Sequence, residues 1–242
     1  MTEDLLQKVQ KYKAPKDAIS LVQNTYIVFL VGVTAAGKDT ILRQLVKNTD
    51  YHHIVSHTTR LPRENHGVME IDGQDYHFID QLTASKMLDN GGYIEAKMFS
   101  GNIYGTSVAE LQMAHDEDKI AITDIEVQGV EEYEKVAPAR VTPIFVLPPD
   151  FYTWQERLTK RHEDNHMNPA ELQKRLETAG HELKEALNKS YFEYVVNKDL
   201  DLTVKIVDEI AHGSKSAEKN ENAKSVAKQL LADLETFLAK NS

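Results

Sequence analysis

The chain has 242 residues, 41% of them hydrophobic and 27% charged, the make-up of a folded protein with room for one α/β domain and further elements. A formal net charge of -10 argues against a duplex nucleic-acid binder, and the lack of cysteine excludes disulfides and thiolate zinc sites. Met1-Thr2-Glu3-Asp4-Leu5-Leu6 lacks the basic patch and apolar stretch of a secretory signal, and no apolar run reaches membrane-spanning length, so the expectation is a cytoplasmic protein without membrane contact.

Residues 1–24 carry the amphipathic pattern Leu5, Leu6, Val9 and Tyr12, followed by a break at Pro15; a peripheral helix is expected, packed on its own domain or on a partner. Tyr26-Ile27-Val28-Phe29-Leu30-Val31 is apolar on both faces and reads as a buried parallel strand. Ile41 to Val46 fits a helix. Between them stands Gly32-Val33-Thr34-Ala35-Ala36-Gly37-Lys38-Asp39-Thr40, which has the G-x4-G-K spacing of a phosphate-binding loop in the strand-to-helix context that such a loop requires. Loop and helix N-terminal amides would face a phosphate, and Lys38 would add a mobile positive charge. The expected ATP-binding set is therefore Gly32, Thr34, Ala35, Ala36, Gly37, Lys38, Asp39 and Thr40. Asp39 stands where the Mg²⁺-binding Ser or Thr is usual, with Thr40 one step later.

Tyr51 to Ser56 is a modest strand candidate, leading into Ser56-His57-Thr58-Thr59-Arg60-Leu61-Pro62-Arg63. Arg60 and Arg63, separated by a stiffening proline, can converge on one anion, and the planar guanidinium fork suits phosphate. A helix is expected near Leu82–Leu88, then a Gly91-Gly92 turn, a strand over Tyr93–Phe99 and a second turn through Thr106. Residues 57–106 thus read as a small β-rich subdomain inserted between α/β units.

The α/β pattern resumes with a helix at 107–116 and a strand from Lys119 to Glu126. Asp124, at the end of an apolar strand, has the look of a Walker-B-type Mg²⁺ ligand. A helix near Val130–Val136 precedes the strand Val141–Leu147, where Pro143 points to a sheet edge or an early strand position. Helical segments are expected over Trp154–Arg161 and from Pro169 to about Lys189; Arg157, Arg161 and Arg175 lie around the break. His162-Glu163-Asp164-Asn165-His166 matches H-E-x-x-H, but Asp, Asn and the nearby Asn168-Pro169 favour a loop, so zinc peptidase chemistry is not expected. A strand at Tyr194–Asn197 and a helix to about 211 close the domain. Residues 213–222 read as a polar linker, and Val226, Leu230, Leu231, Leu234, Phe237 and Leu238 as an amphipathic helix needing a partner surface on this chain or another.

Taken together these motifs resemble the guanylate kinase family. Ser56-x-Thr58-Thr59-Arg60-x-Pro62-Arg63 is similar to its S-x-T-T-R-x-P-R segment, and Glu70-Ile71-Asp72-Gly73-Gln74-Asp75-Tyr76-His77-Phe78 to E-x-x-G-x-D-Y-x-F. Glu95 with Phe99-Ser100-Gly101-Asn102-Ile103-Tyr104-Gly105-Thr106 resembles E-x-x-x-F-x-G-N-x-Y-G-[ST]; Asp124-Ile125-Glu126-Val127-Gln128-Gly129 resembles D-I-D-x-Q-G; Val196-Asn197-x-Asp199-Leu200 matches a late segment. The likeness covers about residues 25–211.

The fold class it implies is α/β, a P-loop NTPase-type parallel sheet sandwiched by helices, with an inserted β-rich GMP-binding subdomain and a helical lid. The implied organisation is an N-terminal extension (1–24), a kinase-like domain (25–212, with the acceptor subdomain at about 57–106 and the lid at about 150–176), and a linker with a C-terminal helix (213–242). The implied reaction is Mg·ATP + GMP giving ADP + GDP by direct in-line transfer. By the same resemblance Ser56, Arg60, Arg63, Tyr76 and Tyr104 would hold the GMP phosphate, while Glu95, Thr106 and Glu126 would read guanine. Glu126 is one methylene longer than the family's Asp. Lys38, Arg157, Arg161 and Arg175 would be catalytic, the arginines closing as a lid. Asp39, Thr40 and Asp124 would hold Mg²⁺. ATP and GMP are the implied partners, with no nucleic acid or membrane, and the terminal helices offer surfaces for a homo-oligomer.

The loop departs from the family at Ala35, where a glycine is usual, and at Asp39; an extra stretch near Asn65–Met69 lengthens a loop beside the acceptor site. Two other readings stand beside this one. A ribose bisphosphate phosphokinase-like enzyme also carries G-K-D-[ST], and a non-catalytic binding module would use the GMP site for a phosphorylated peptide.

Overall fold

The computed structural model describes the backbone of residues 2–65, 67–164 and 169–240 and the side chains of 4–64, 67–160 and 171–240. In chain order it runs α1 (Thr2–Lys11), α2 (Lys16–Asn24), β1 (Ile27–Val31), α3 (Lys38–Leu45), β2 (Tyr51–His53), β3 (His57–Thr58), β4 (Glu64–Asn65) and β5 (Val68–Met69). Then follow β6 (His77–Phe78), α4 (Gln81–Asp89), β7 (Tyr93–Phe99), β8 (Asn102–Ser107), α5 (Val108–Asp116), β9 (Ile120–Asp124) and α6 (Val127–Val136). The last third holds β10 (Val141–Leu147), α7 (Phe151–Asp164), α8 (Pro169–Leu187), β11 (Glu193–Val196), α9 (Leu200–Ala211) and α10 (Ala217–Lys240). Asp80, Ser107 and Asp199 cap α4, α5 and α9, each side-chain oxygen accepting a first-turn amide.

The main sheet has the order β11-β10-β1-β9-β2, and β10 runs parallel to β11, which is the α/β arrangement expected. All of β1 and β10 is buried, as the unbroken apolar runs require. β10 is therefore interior, not an edge. Pro143 is tolerated because pairing with β11 starts at Ile144, one residue later, so its missing N–H falls early in the strand.

The chain forms two compact units, Met1–Ile27 with Asp50–Ala121, and Val28–Thr49 with Ile122–Ser242. The first contains a four-stranded mixed sheet, β6-β3-β8-β7, and a separate hairpin of β4 and β5. That hairpin, Glu64 opposite Met69 and Asn65 opposite Val68, is built from the extra stretch noted in the sequence. Under the sheet lies an apolar cluster of Leu5, Val9, Ala84, Leu88, Tyr93 and Ile103. The N-terminal segment is thus a pair of helices rather than one, and α1 packs on α4 and β7 while α2 packs on α5 and β7.

In the second unit α10 packs against α8, β11, α7 and β10, so the surface that the C-terminal amphipathic helix needs is supplied by this chain. The helix also starts earlier than its apolar pattern. Ser216 Oγ accepts from Lys219 N, turning most of the expected linker into first turns, and Asn220 Oδ1 accepts from Tyr194 N at 2.7 Å to tie it to β11. The H-E-x-x-H segment was expected as loop; α7 continues to Asp164, and Asn165 and His166 lie outside the described residues. No helix among the described residues is long and apolar enough to cross a membrane.

Candidate active site

The loop between β1 and α3 is shaped by two glycines. Gly32 (φ +142°) leaves no room for a side chain, since a Cβ would lie 2.2 Å from the Val146 carbonyl oxygen; Gly37 (φ +97°) caps α3, and a Cβ there would meet Asn197 Nδ2 at 2.3 Å. Between them Ala35 adopts φ +60°, the left-handed region that a glycine would occupy freely. Ala35 is thus held with strain in a conformation that a glycine would take without it. Lys38 folds back over the loop, its Nζ donating to the carbonyls of Gly32 at 2.6 Å and Val33 at 3.3 Å. Ala36 is buried and Thr34 half-buried, and their carbonyls are engaged from outside the loop. Asn197 Nδ2 donates to Ala36 O at 2.8 Å, and Trp154 Nε1 donates to Thr34 O at 2.9 Å.

Asp39 and Thr40 are exposed in the first turn of α3, and Asp124 ends β9 in the same unit. Water reaches Asp124, yet protein crowds around it: its carboxyl is pushed above the usual carboxylate range first by desolvation, then by the charge of Asp39, with Lys38 opposing. Two carboxylates close enough to repel each other are hard-oxygen donors of the sort that Mg²⁺ takes together with substrate phosphates.

Arg157, on α7, donates from Nη2 to the Asn197 carbonyl at 3.0 Å, so Asn197 joins the loop to this arginine. Arg175 is placed elsewhere in its helix environment: it is 38% exposed and pairs with Glu171 one turn back at 3.1 Å. The Arg161 side chain lies outside the described residues. Glu182, further along α8, is raised to about 7 by burial first, opposed by the Lys38 charge and reinforced by Glu126 and Glu185. Glu126 itself is exposed at the N-cap of α6.

In the first unit the mixed sheet gathers a second set. Pairing of Thr58 with Tyr104 brings the segment after β3 beside β8. Arg60 is 9% exposed; its Nε donates to Tyr104 Oη at 3.2 Å, and its guanidinium lies over the Tyr76 ring at 5.2 Å from the centroid. Its two other nitrogens form a fork to Glu70, Nη1 to Oε2 at 2.7 Å and Nη2 to Oε1 at 2.9 Å. Burial works against the Arg60 charge, but the Glu70 and Tyr104 bonds outweigh it and hold the guanidinium above its usual value. Glu70 answers in kind: burial would raise it, and the bonds from Arg60 and the Arg63 amide bring it below the ordinary carboxylate range. The Arg63 side chain is exposed and Ser56 half-buried; the Ser56 carbonyl accepts from His77 N.

Glu95 and Thr106 are opposite each other on β7 and β8. Glu95 Oε1 accepts from both the Thr106 amide and its hydroxyl, each at 3.1 Å, which fixes a half-buried carboxylate on the sheet. Gly105 next to it is packed so closely that a Cβ would sit 2.7 Å from the Glu95 carbonyl oxygen.

The structure thus collects Lys38, Asp39, Thr40, Asp124 and Arg157 about the loop in one unit, and Arg60, Tyr76, Tyr104, Glu95 and Thr106 on the sheet of the other. Asn197, Trp154, Glu70 and Glu182 carry no role that the sequence motifs assign. Asn197 and Glu70 stood inside quoted motifs, which was a usable signal; nothing in the spacing of Trp154 linked it to a loop so far away in the chain.

A family model described as guanylate kinase matches residues 23–213. The chain is similar to the guanylate kinase of Thiobacillus denitrificans, 35% identical over 178 residues that cover 72% of this chain and 80% of that protein. It is similar also to that of Schizosaccharomyces pombe, 33% identical over 186 residues covering 76% of this chain and 88% of the other. Among solved structures, the guanylate kinase from Anaplasma phagocytophilum shares the fold with a TM-score of 0.58 at 22% identity, over 82% of this chain and 90% of that one.

Proposed function

The chain belongs to the guanylate kinase family, and on that premise we propose that it transfers the γ-phosphoryl group of ATP to GMP, giving ADP and GDP. The observation that carries the choice of acceptor is Glu95, immobilised on Thr106 by two bonds to one oxygen. A carboxylate accepts from guanine N1–H and N2–H together, whereas adenine would present a lone pair at N1 to the same oxygen. Ser56, Arg60, Arg63, Tyr76 and Tyr104 hold the GMP phosphate, and Thr106 and Glu126 support base recognition.

Transfer to a hydroxyl or phosphate oxygen needs little covalent help from the protein; position and charge neutralisation carry it. Gly32, Thr34, Ala35, Ala36 and Gly37 present the loop amides to the ATP phosphates. Lys38 now spends its hydrogen bonds on two loop carbonyls, a preorganised position from which the ammonium turns to the β- and γ-phosphates. Arg157, steadied by the Asn197 carbonyl, adds positive charge on the same side. Arg175 pairs with Glu171 one turn away on an exposed face, a contact worth a few tenths of a kcal/mol, so recruiting it to the transferring group costs little (about 0.3–0.5 kcal/mol). Arg161 completes the lid by this reading. Asp39, Thr40 and Asp124 would hold Mg²⁺, which when bound offsets the phosphate charge. We place the reaction in the cytoplasm, where both nucleotides are made and used.

The test is ADP formation from Mg·ATP with GMP, dGMP, AMP, UMP or ribose 1,5-bisphosphate as acceptor. Turnover confined to GMP and dGMP is expected. Turnover with the sugar bisphosphate alone, or GMP binding with no turnover on any acceptor, would overturn the reading in favour of a sugar kinase or a binding module.

A further inference from the structure

We propose that Tyr12, in the N-terminal extension that lies ahead of the matched family region, is a positioning residue for guanine selection, acting on Glu95 through the backbone of Tyr93. This rests on Glu95 being the guanine reader. Among the described residues β7 is the edge strand of its sheet, so its outer backbone groups face no neighbouring strand there. At Tyr93 the Tyr12 hydroxyl fills that place. It donates to the Tyr93 carbonyl and accepts from the Tyr93 amide at 3.0 Å, while the two rings meet edge to face at 6.3 Å between centroids.

The position matters because of the register. Tyr93 is opposite Ser107 but Glu95 is opposite Thr106, so the ladder shifts by one residue and Ile94 is the extra one. In an unshifted ladder continuing from Tyr93, Ile94 would stand opposite Thr106 and Glu95 would fall opposite Gly105. The bulge is therefore what brings Glu95 to the Thr106 amide and hydroxyl. Tyr12 grips the residue at which the shift begins. Tyr12 directly follows α1, and that helix is seated by Leu5 and Val9, buried with Tyr93 in the apolar cluster; the surface bonds from Lys8 Nζ to Ser85 Oγ at 2.8 Å and to Asp89 Oδ2 at 2.7 Å on α4 add little to that seat. Burial raises the Tyr12 phenol above its usual value despite the Tyr93 bond, so the hydroxyl stays a neutral donor and acceptor at working pH.

The experiment compares wild type, Tyr12→Phe, Lys8→Ala, Glu95→Gln and the Tyr12→Phe/Glu95→Gln double variant, with GMP and with IMP, which lacks the 2-amino group. Tyr12→Phe should raise KM for GMP roughly three- to tenfold, leave KM for ATP unchanged and lower the preference for GMP over IMP. Glu95→Gln should lower the same preference, the double variant should be no worse than Glu95→Gln alone, and Lys8→Ala should leave the preference intact. If Glu95→Gln lowers the preference while Tyr12→Phe does not, Tyr12 merely packs and the inference is overturned with the reader intact. A fall as large in Lys8→Ala would mean general loosening and would overturn it too. No change in Glu95→Gln would overturn the reader itself. Independently of any variant folding, the Tyr93 amide of the unaltered protein should exchange with deuterium slowly; exchange at the rate of a free edge amide would remove the grip.

Discussion

Glu70 closes a fork on Arg60 and, with the same Oε2, accepts the Arg63 amide at 2.8 Å, so one carboxylate sets both ends of the arginine-proline-arginine turn. Both side chains of the pair are 9% exposed, deep enough that neither charge is well solvated alone. Glu70→Ala should therefore cost about 3–5 kcal/mol of stability, read by urea unfolding, because it strands the Arg60 charge. Added GMP should restore more stability to this variant than to wild type. A loss under about 1 kcal/mol would mean that water already reaches the pair.

Lys38→Ala should reduce transfer by at least about a hundredfold, the usual scale for deleting a positive donor at a developing charge. GMP affinity, measured by calorimetry without ATP, should stay close to wild type, since Lys38 bonds loop carbonyls in its own unit. Loss of GMP affinity by a similar factor would undo the proposed division of labour.

Ala35 is an alanine held at φ +60°. Left-handed backbone costs a residue with a Cβ about 1–2 kcal/mol, partly offset by the extra freedom a glycine brings to the unfolded chain. Ala35→Gly should raise stability by up to about 1 kcal/mol, and Ala35→Val should lower it by more than about 1 kcal/mol. Thermal melts of the three proteins decide it; a stable valine variant would mean that the loop does not hold this backbone.

Glu182 titrates near 7 in the folded chain, burial being the main cause, against 4.5 as its ordinary value. An acid raised on folding leaves the folded state holding more protons than the unfolded one between those values, so its contribution to stability is present at low pH and is lost as pH rises from about 4.5 to about 7. His57 works the other way in an overlapping window, lowered from 6.5 to about 4 by burial first and then by His77, so its contribution cancels only when two proteins that both carry it are compared. The clean comparison is Glu182→Gln with wild type: the stability advantage of the variant should grow from pH 4.5 to 7 and then level off. A constant difference across that range would show that the carboxyl is solvated and carries no shift.

Local pattern alone located the phosphate loop, because a buried strand, two glycines at set spacing and a lysine opening a helix are neighbours in the chain and need no distant contact to be recognised. The same holds for β7, whose bounds Tyr93–Phe99 follow from alternation, whereas Pro143 left a sheet edge or an early strand position open until the strand order set β10 inside the sheet. The acceptor residues were legible only as ordered motifs taken together, since Arg60 meets Tyr76 and Tyr104, and Glu95 meets Thr106, through folding of the chain that no short window contains. Tertiary structure alone decided who holds what: Asn197 bonds a loop residue 161 positions away, Trp154 one 120 away, and Tyr12 a strand 81 away. Side-chain spacing encodes contacts within a turn or a strand, where backbone geometry repeats. A hydrogen bond across such separations depends on which faces of the folded elements come to rest against each other, and that follows from packing the whole core.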